Sequence, residues 1–115
     1  MLINLSNHPS KDWSEFQKKT ALEAYQSIFD MDFPSVLPEI SETQITQLAQ
    51  NYVKQIMKLK PLAVHIMGEM NFTHKCVTIL KEYNIKCIAS TTVRNSTENE
   101  NIKTSQFEFV QFREY

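Results

Sequence analysis

Three short segments hold most of the side chains in this sequence that could do chemistry: "SNHPS" at residues 6–10, "GEMNFT" at 68–73 and "STTVR" at 90–94. His8 is of a type that can give or take a proton at a phosphodiester; the alternative is a histidine that only hydrogen-bonds its own loop. Arg94 offers a planar fork that binds a phosphate in two places; the alternative is a surface ion pair with Glu98 or Glu100. Arg113 suits the same anion, or a bridge between subunits. Thr73, Ser90, Thr91 and Thr92 carry hydroxyls able to donate to phosphate oxygens, although threonine also simply favours strands. Asn7, Ser10 and Asn71 complete the polar groups expected at a ligand.

Gly68 is the only glycine of the chain. It follows an apolar run and precedes a helical pattern, as at a strand-to-helix turn. A glycine there can adopt positive φ and let a ligand or another backbone come close, or can simply make a tight turn. The free N–H groups of the following helix favour an anion. Glu69, the next residue, is stabilised by the same dipole and would repel a phosphate placed on it. With a nucleotide ligand, Glu69 better suits a ribose hydroxyl or base edge, or acts as a base. One glycine excludes the dinucleotide fingerprint and the Walker loop.

The other histidines promise less. His65 lies within the apolar run "LAVHIM" and reads as packing, and His74 as the solvent face of a helix. No two histidines show a metal spacing, so neither a metal site nor a cofactor is expected. Cys76 and Cys87 read as buried thiols of a cytoplasmic protein. The net charge of −1 argues against a partner of duplex-DNA type. No apolar run reaches transmembrane length, and the N-terminus has no signal-peptide pattern.

The elements that must position these groups follow from periodicity. "MLINLS" reads as a buried first strand. Residues 11–29 follow a helical period through Trp13, Phe16, Ala21, Ala24, Tyr25 and Ile28, with Ser10 as N-cap. A short strand is expected near 28–33, stopped by Pro34. Ser41 and Gln44 have capping-box spacing and open an amphipathic helix ended by Pro61. "LAVHIM" suits a central strand covered on both faces. A third helix is expected over 72–83, with Phe72, Cys76, Ile79, Leu80 and Tyr83 inward. "IKCIAS" is a fourth strand, "NSTENENIKTS" an exposed loop, and "QFEFVQFREY" a last strand. This order predicts one α/β domain over 1–115: a Rossmann-like, mostly parallel sheet of about five strands with three helices and an antiparallel last strand. Ligands of such sheets bind beyond the carboxyl ends of the parallel strands, where the three polar segments fall.

The segments "GEMNFT", "STTVR" and "FEFVQFREY" resemble a family of small CRISPR-associated accessory proteins of type III systems, related to ring nucleases and to the CRISPR-associated Rossmann fold. The matching residues are Gly68, Glu69 and Thr73; Ser90, Thr91, Thr92 and Arg94; and Val110, Phe112, Arg113 and Tyr115. Asn7 and His8 match more loosely. The family often has a second glycine near the position of Asn71, a residue that tolerates left-handed geometry. The resemblance implies a cyclic oligoadenylate ligand, a homodimer and metal-independent cleavage. In that reaction a ribose 2′-hydroxyl attacks the adjacent phosphate and leaves a 2′,3′-cyclic phosphate. It also implies catalytic roles for His8, Glu69 and Arg94. A protein that sequesters the same messenger without cutting it, and a small α/β interaction module, are the alternatives. The aromatic last strand and Tyr115 are the candidates for the dimer interface.

Overall fold

Strand and helix periods alternate along the chain, and the molecule builds a three-layer α/β arrangement from them. The computed structural model describes residues 1–115, and all side chains except those at 97 and 103–105. The elements are β1 (Leu2–Ser6), a 3-10 turn (Ser10–Asp12), α1 (Glu15–Tyr25), β2 (Ile28–Asp32), α2 (Glu42–Leu59), β3 (Ala63–Met67), α3 (Met70–Glu82), β4 (Lys86–Asn99) and β5 (Ile102–Glu114). The sheet order is β2-β1-β3-β4-β5. The first four strands are parallel, and β5 runs antiparallel to β4. The fold is therefore Rossmann-like and doubly wound, with its topological switch between β1 and β3.

Alternation along β1 and β3 assigns the two faces. Ile3, Leu5, Val64 and Ile66 pack with Ile45, Ala49, Val53 and Ile56 of α2 and with Phe72, Cys76, Val77 and Leu80 of α3. Both cysteines are buried free thiols. The opposite face is covered by α1 alone. Leu2, Ala63 and Ile88 there form a smaller core with Trp13, Ala21 and Tyr25. Toward the carboxyl ends of the strands the same face carries polar residues instead, Asn4, Ser6 and His65, with the first turn of α1 beside them. Among the described residues no helix is long and apolar enough to cross a membrane.

Four local expectations need correction. Ser10 does not cap α1: residues 10–12 make a 3-10 turn, and α1 starts at Glu15, where the Ser14 side chain accepts from the Gln17 N–H. Tyr83 is exposed rather than inward, because α3 ends before it and leaves it at the C-cap. Residues 95–105 are no loop. They continue β4 and β5 into a ribbon that turns at Glu100 and Asn101, with φ of 50° and 67°. Two consecutive positive φ values are those of a type I′ hairpin, whose twist matches that of the strands. β3 pairs with β4 only at residues 86–88, so the ribbon stands beyond the parallel sheet.

Gly68 is the fourth. It does not adopt positive φ. The close approach comes from this chain's own Phe33, whose ring atoms would lie 2.2–2.7 Å from an added Cβ. That ring in turn sits edge-on against Phe72 at 5.2 Å between centroids. Gly68→Ala is expected to cost about 1–3 kcal/mol in urea unfolding through overpacking. The cost should shrink strongly in a Phe33→Ala background; an equal cost in both backgrounds would mean that Phe33 is not what demands the glycine.

One irregularity sets the chemistry of the ribbon. Ser90 pairs with Phe112, but Thr92 pairs with Phe109 and Arg94 with Phe107. Val110 is therefore an extra residue, a β-bulge. It brings Phe107, Phe109 and Phe112 onto one face although their spacing is uneven.

Candidate functional site

The polar upper half of the α1 face is a single hydrogen-bonded row. β-Sheet register aligns Asp30, Asn4 and His65 on three neighbouring strands. Asn4 Nδ2 donates to Asp30 Oδ1 at 2.8 Å and to the His8 carbonyl at 2.9 Å. Asn4 Oδ1 accepts from the Ser6 hydroxyl at 2.8 Å and lies 2.9 Å from His65 Nδ1. His65 Nε2 lies 2.7 Å from Ser90 Oγ, which also accepts from Gln17 Nε2 at 3.0 Å. The row thus runs from the edge strand β2 to β4 and ends on the first turn of α1.

Donor and acceptor chemistry gives this row a direction. The Asp30 carboxylate only accepts, so it fixes the amide of Asn4. The Asn4 oxygen then faces His65 and requires a proton on Nδ1. Nε2 is left as an acceptor, and it takes the hydroxyl hydrogen of Ser90. Burial opposes the charge on Asp30, but hydrogen bonds from Asn4 and Ser10 outweigh it and hold the carboxyl below its ordinary value. Burial, with a smaller contribution from nearby His8, pushes the His65 imidazole down to about 4. His65 is therefore neutral at pH 7. Its ring is also held by aromatic edges: Trp13 lies at 5.2 Å and Phe112 at 5.6 Å between centroids.

A cleft of about 740 Å³ opens above the row. Its walls include Trp13, Phe16, Phe107 and Phe109, and its floor includes His65 and Ser90. Phe16 of α1 meets Phe109 of the ribbon at 5.6 Å, so helix and ribbon close on one another across it. Ser6, Asn7 and His8 form one rim, and Met67 and Gly68 another. These are the ends of β1 and β3, the two sides of the topological switch. The His8 carbonyl accepts from Asn4 and Trp13 Nε1, and the His8 N–H donates to Ser6 Oγ, which pins the loop and leaves the His8 side chain exposed. Among the described residues no lysine or arginine lines this cleft, whereas Asp12 and Glu108 do.

The structure gathers some of the expected site residues and disperses others. Asn7, His8, Gly68, Ser90 and Thr92 line the cleft. Arg94 does not; it is exposed, on the same ribbon face one pair beyond Thr92 and Phe109. Thr91 faces away from Ser90, and its hydroxyl exchanges hydrogen bonds with the backbone of Gln111. Arg113 pairs with Ala89 and shares that opposite face. Thr73 is turned inward at 8% exposure, and its hydroxyl has no partner among the described residues. Ser10 is spent on Asp30, through its N–H at 3.0 Å and its hydroxyl at 2.8 Å.

Glu69 caps α3. Its Oε1 accepts from the Phe72 N–H at 2.7 Å, and Asn71 Nδ2 donates to its other oxygen at 3.2 Å. The Phe72 N–H holds the carboxyl below its ordinary value. The helix end expected to hold a phosphate thus already holds a carboxylate of its own chain. Tyr115 is likewise committed, its hydroxyl donating to the Ile66 carbonyl. Among the described residues no three His, Cys, Asp or Glu side chains converge as a metal would need. The residues that sequence reasoning missed are Asn4, Asp30, Gln17 and Trp13. His65, read as packing, is packed and is also the centre of the row.

Fold and cleft together define a doubly wound α/β protein with an aromatic cleft at its switch point. A family model matches residues 1–113, and the chain belongs to the Uncharacterized protein MJ1673 family. No curated protein and no solved structure matches it.

Proposed function

We propose that this protein is a cytoplasmic ring nuclease that binds and cleaves cyclic oligoadenylate in CRISPR defence of type III. The observation that carries the reading is the cleft: aromatic walls on which purines can stack, above a floor of hydrogen-bonding groups at the carboxyl ends of parallel strands. The segment resemblance supplies the identity of the nucleotide. His8, at the rim, is the residue best placed to handle a proton. A cleft of this size suits one drug-sized ligand, so a ring of several nucleotides would span two copies. A two-fold homodimer meets that need, and the exposed apolar Val93 and Ile102, on the ribbon face opposite Phe107, are the surface it would use.

One observation favours binding without cleavage. The described side chains lining the cleft bring two carboxylates and no lysine or arginine, whereas phosphoryl chemistry needs positive charge at the developing anion. Arg94 or a second copy must supply it for cleavage to proceed.

The test is incubation with cyclic tetra- and hexaadenylate in EDTA, with products followed by chromatography and binding measured in parallel. Linear fragments ending in a 2′,3′-cyclic phosphate are expected. Tight binding without fragments would make the protein a sequestering one, and absence of both would remove the nucleotide reading.

A further inference from the structure

We propose that Ser90 is the catalytic hydroxyl that accepts the proton of the attacking ribose 2′-hydroxyl, and that His65 behind it takes Ser90's own proton. This rests on the ring-nuclease reading and names the base that the reading leaves open. The geometry is that of an activated serine: Ser90 Oγ to His65 Nε2 at 2.7 Å, and His65 Nδ1 to Asn4 Oδ1 at 2.9 Å. Histidine oriented by a group behind it is the arrangement by which a hydroxyl is made basic; burial makes His65 a weak base, so it carries the proton only during the transfer and does not rest protonated.

The direction of the row assigns Ser90's role. Its hydrogen is committed to His65, and one lone pair is occupied by Gln17. A hydroxyl oxygen has two acceptor positions, so one remains. Ser90 and His65 both line the cleft, and this remaining position is an acceptor for a ligand donor. A ribose 2′-hydroxyl is such a donor; a bare phosphate oxygen is not. Ser90 therefore serves the sugar rather than the phosphate. Asp30, three strands away on β2, is the anchor that keeps the whole row pointing one way.

The step balances as follows. The 2′ O–H bond breaks as its proton passes to Ser90 Oγ, and the Ser90 proton passes to His65 Nε2. The 2′-oxygen bonds to phosphorus, and the bond from phosphorus to the 5′-oxygen breaks. The 5′-oxygen takes a proton from protonated His8. The products are a 2′,3′-cyclic phosphate and a 5′-hydroxyl, and solvent restores both histidines.

The experiment compares parent, Ser90→Ala and Ser90→Thr with cyclic tetraadenylate, reading Kd, KM and kcat separately. Ser90→Ala should lower kcat about 100-fold or more with Kd changed less than about threefold, and Ser90→Thr, which keeps a hydroxyl, should recover part of kcat. A parent that cleaves alongside an equally active Ser90→Ala overturns the proposal and leaves the ring-nuclease reading standing. A parent that does not cleave ends that reading and the proposal with it. A second measurement needs no ligand: ¹⁵N NMR of the His65 ring should show the proton on Nδ1 at pH 7. A proton on Nε2 would make Ser90 the acceptor from His65, unable to pass a proton on, and would overturn the proposal.

Discussion

Acidification from pH 7 to about 4 should remove about 3 kcal/mol of unfolding free energy through His65 alone. The native imidazole is held at about 4 by burial, against about 6.5 in an unfolded chain. Above pH 6.5 both states carry it neutral, and its contribution is fully present. Below 6.5 the unfolded chain binds a proton that the native protein refuses, and stability falls by about 1.4 kcal/mol per pH unit until the native pKa is reached. Urea unfolding at several pH values, on the parent and on His65→Gln, isolates the effect, because carboxylate contributions cancel in the difference. The parent should lose stability more steeply by about one proton between pH 6 and 4.5. Parallel curves would mean that His65 titrates normally in the folded state.

Asn4→Ala should be the most damaging single truncation of the polar row. Asn4 is 1% exposed and joins Asp30, His65, Ser6 and the His8 carbonyl. Its loss leaves His65 Nδ1 without its partner and takes a donor from both Asp30 and the His8 carbonyl, whereas Ser6 keeps the His8 backbone as a partner. An unsatisfied buried group costs about 1–3 kcal/mol, so the expected total is about 3 kcal/mol in urea unfolding at pH 7. There is a functional signature as well. Without the Asn4 oxygen nothing requires a proton on Nδ1, so the ring should move its proton to Nε2 and donate to Ser90. The ¹⁵N spectrum of His65 reports that exchange directly. A variant that keeps the Nδ1 proton would show that some other group fixes the tautomer.

The fold was legible because its signals are local. Capping-box spacing at Ser41 and Gln44 marked α2, and both hydrogen bonds of that box form, at 2.8 and 3.2 Å. Apolar runs marked β1 and β3. The ribbon was not legible: "NSTENENIKTS" has neither apolar alternation nor an Asn-Gly turn, and only pairing of β4 with β5 makes it a strand. The site was half legible. Strand ends pointed to Asn7, His8, Gly68, Ser90 and Thr92, all of which line the cleft. The row beneath it could not be read along the chain. Asn4, Asp30 and His65 are 26 and 61 residues apart and meet only through register. Each sits alone among apolar neighbours, where a single polar residue looks like an accident. Arg94 could not be placed from its type alone: it suits an anion, but position along the ribbon sets it one pair beyond the residues that line the cleft.

The bulge at Val110 separates two properties that a regular sheet would tie together. In a plain antiparallel pair, the residues facing the cleft follow from the alternation that fills the core. The extra residue resets that phase just where the ribbon leaves the parallel sheet, so the outer ribbon can be turned over without moving a core side chain. The lining of the cleft and the stability of the domain can therefore vary independently in descendants of this fold, and changes of ligand need not be paid for in folding.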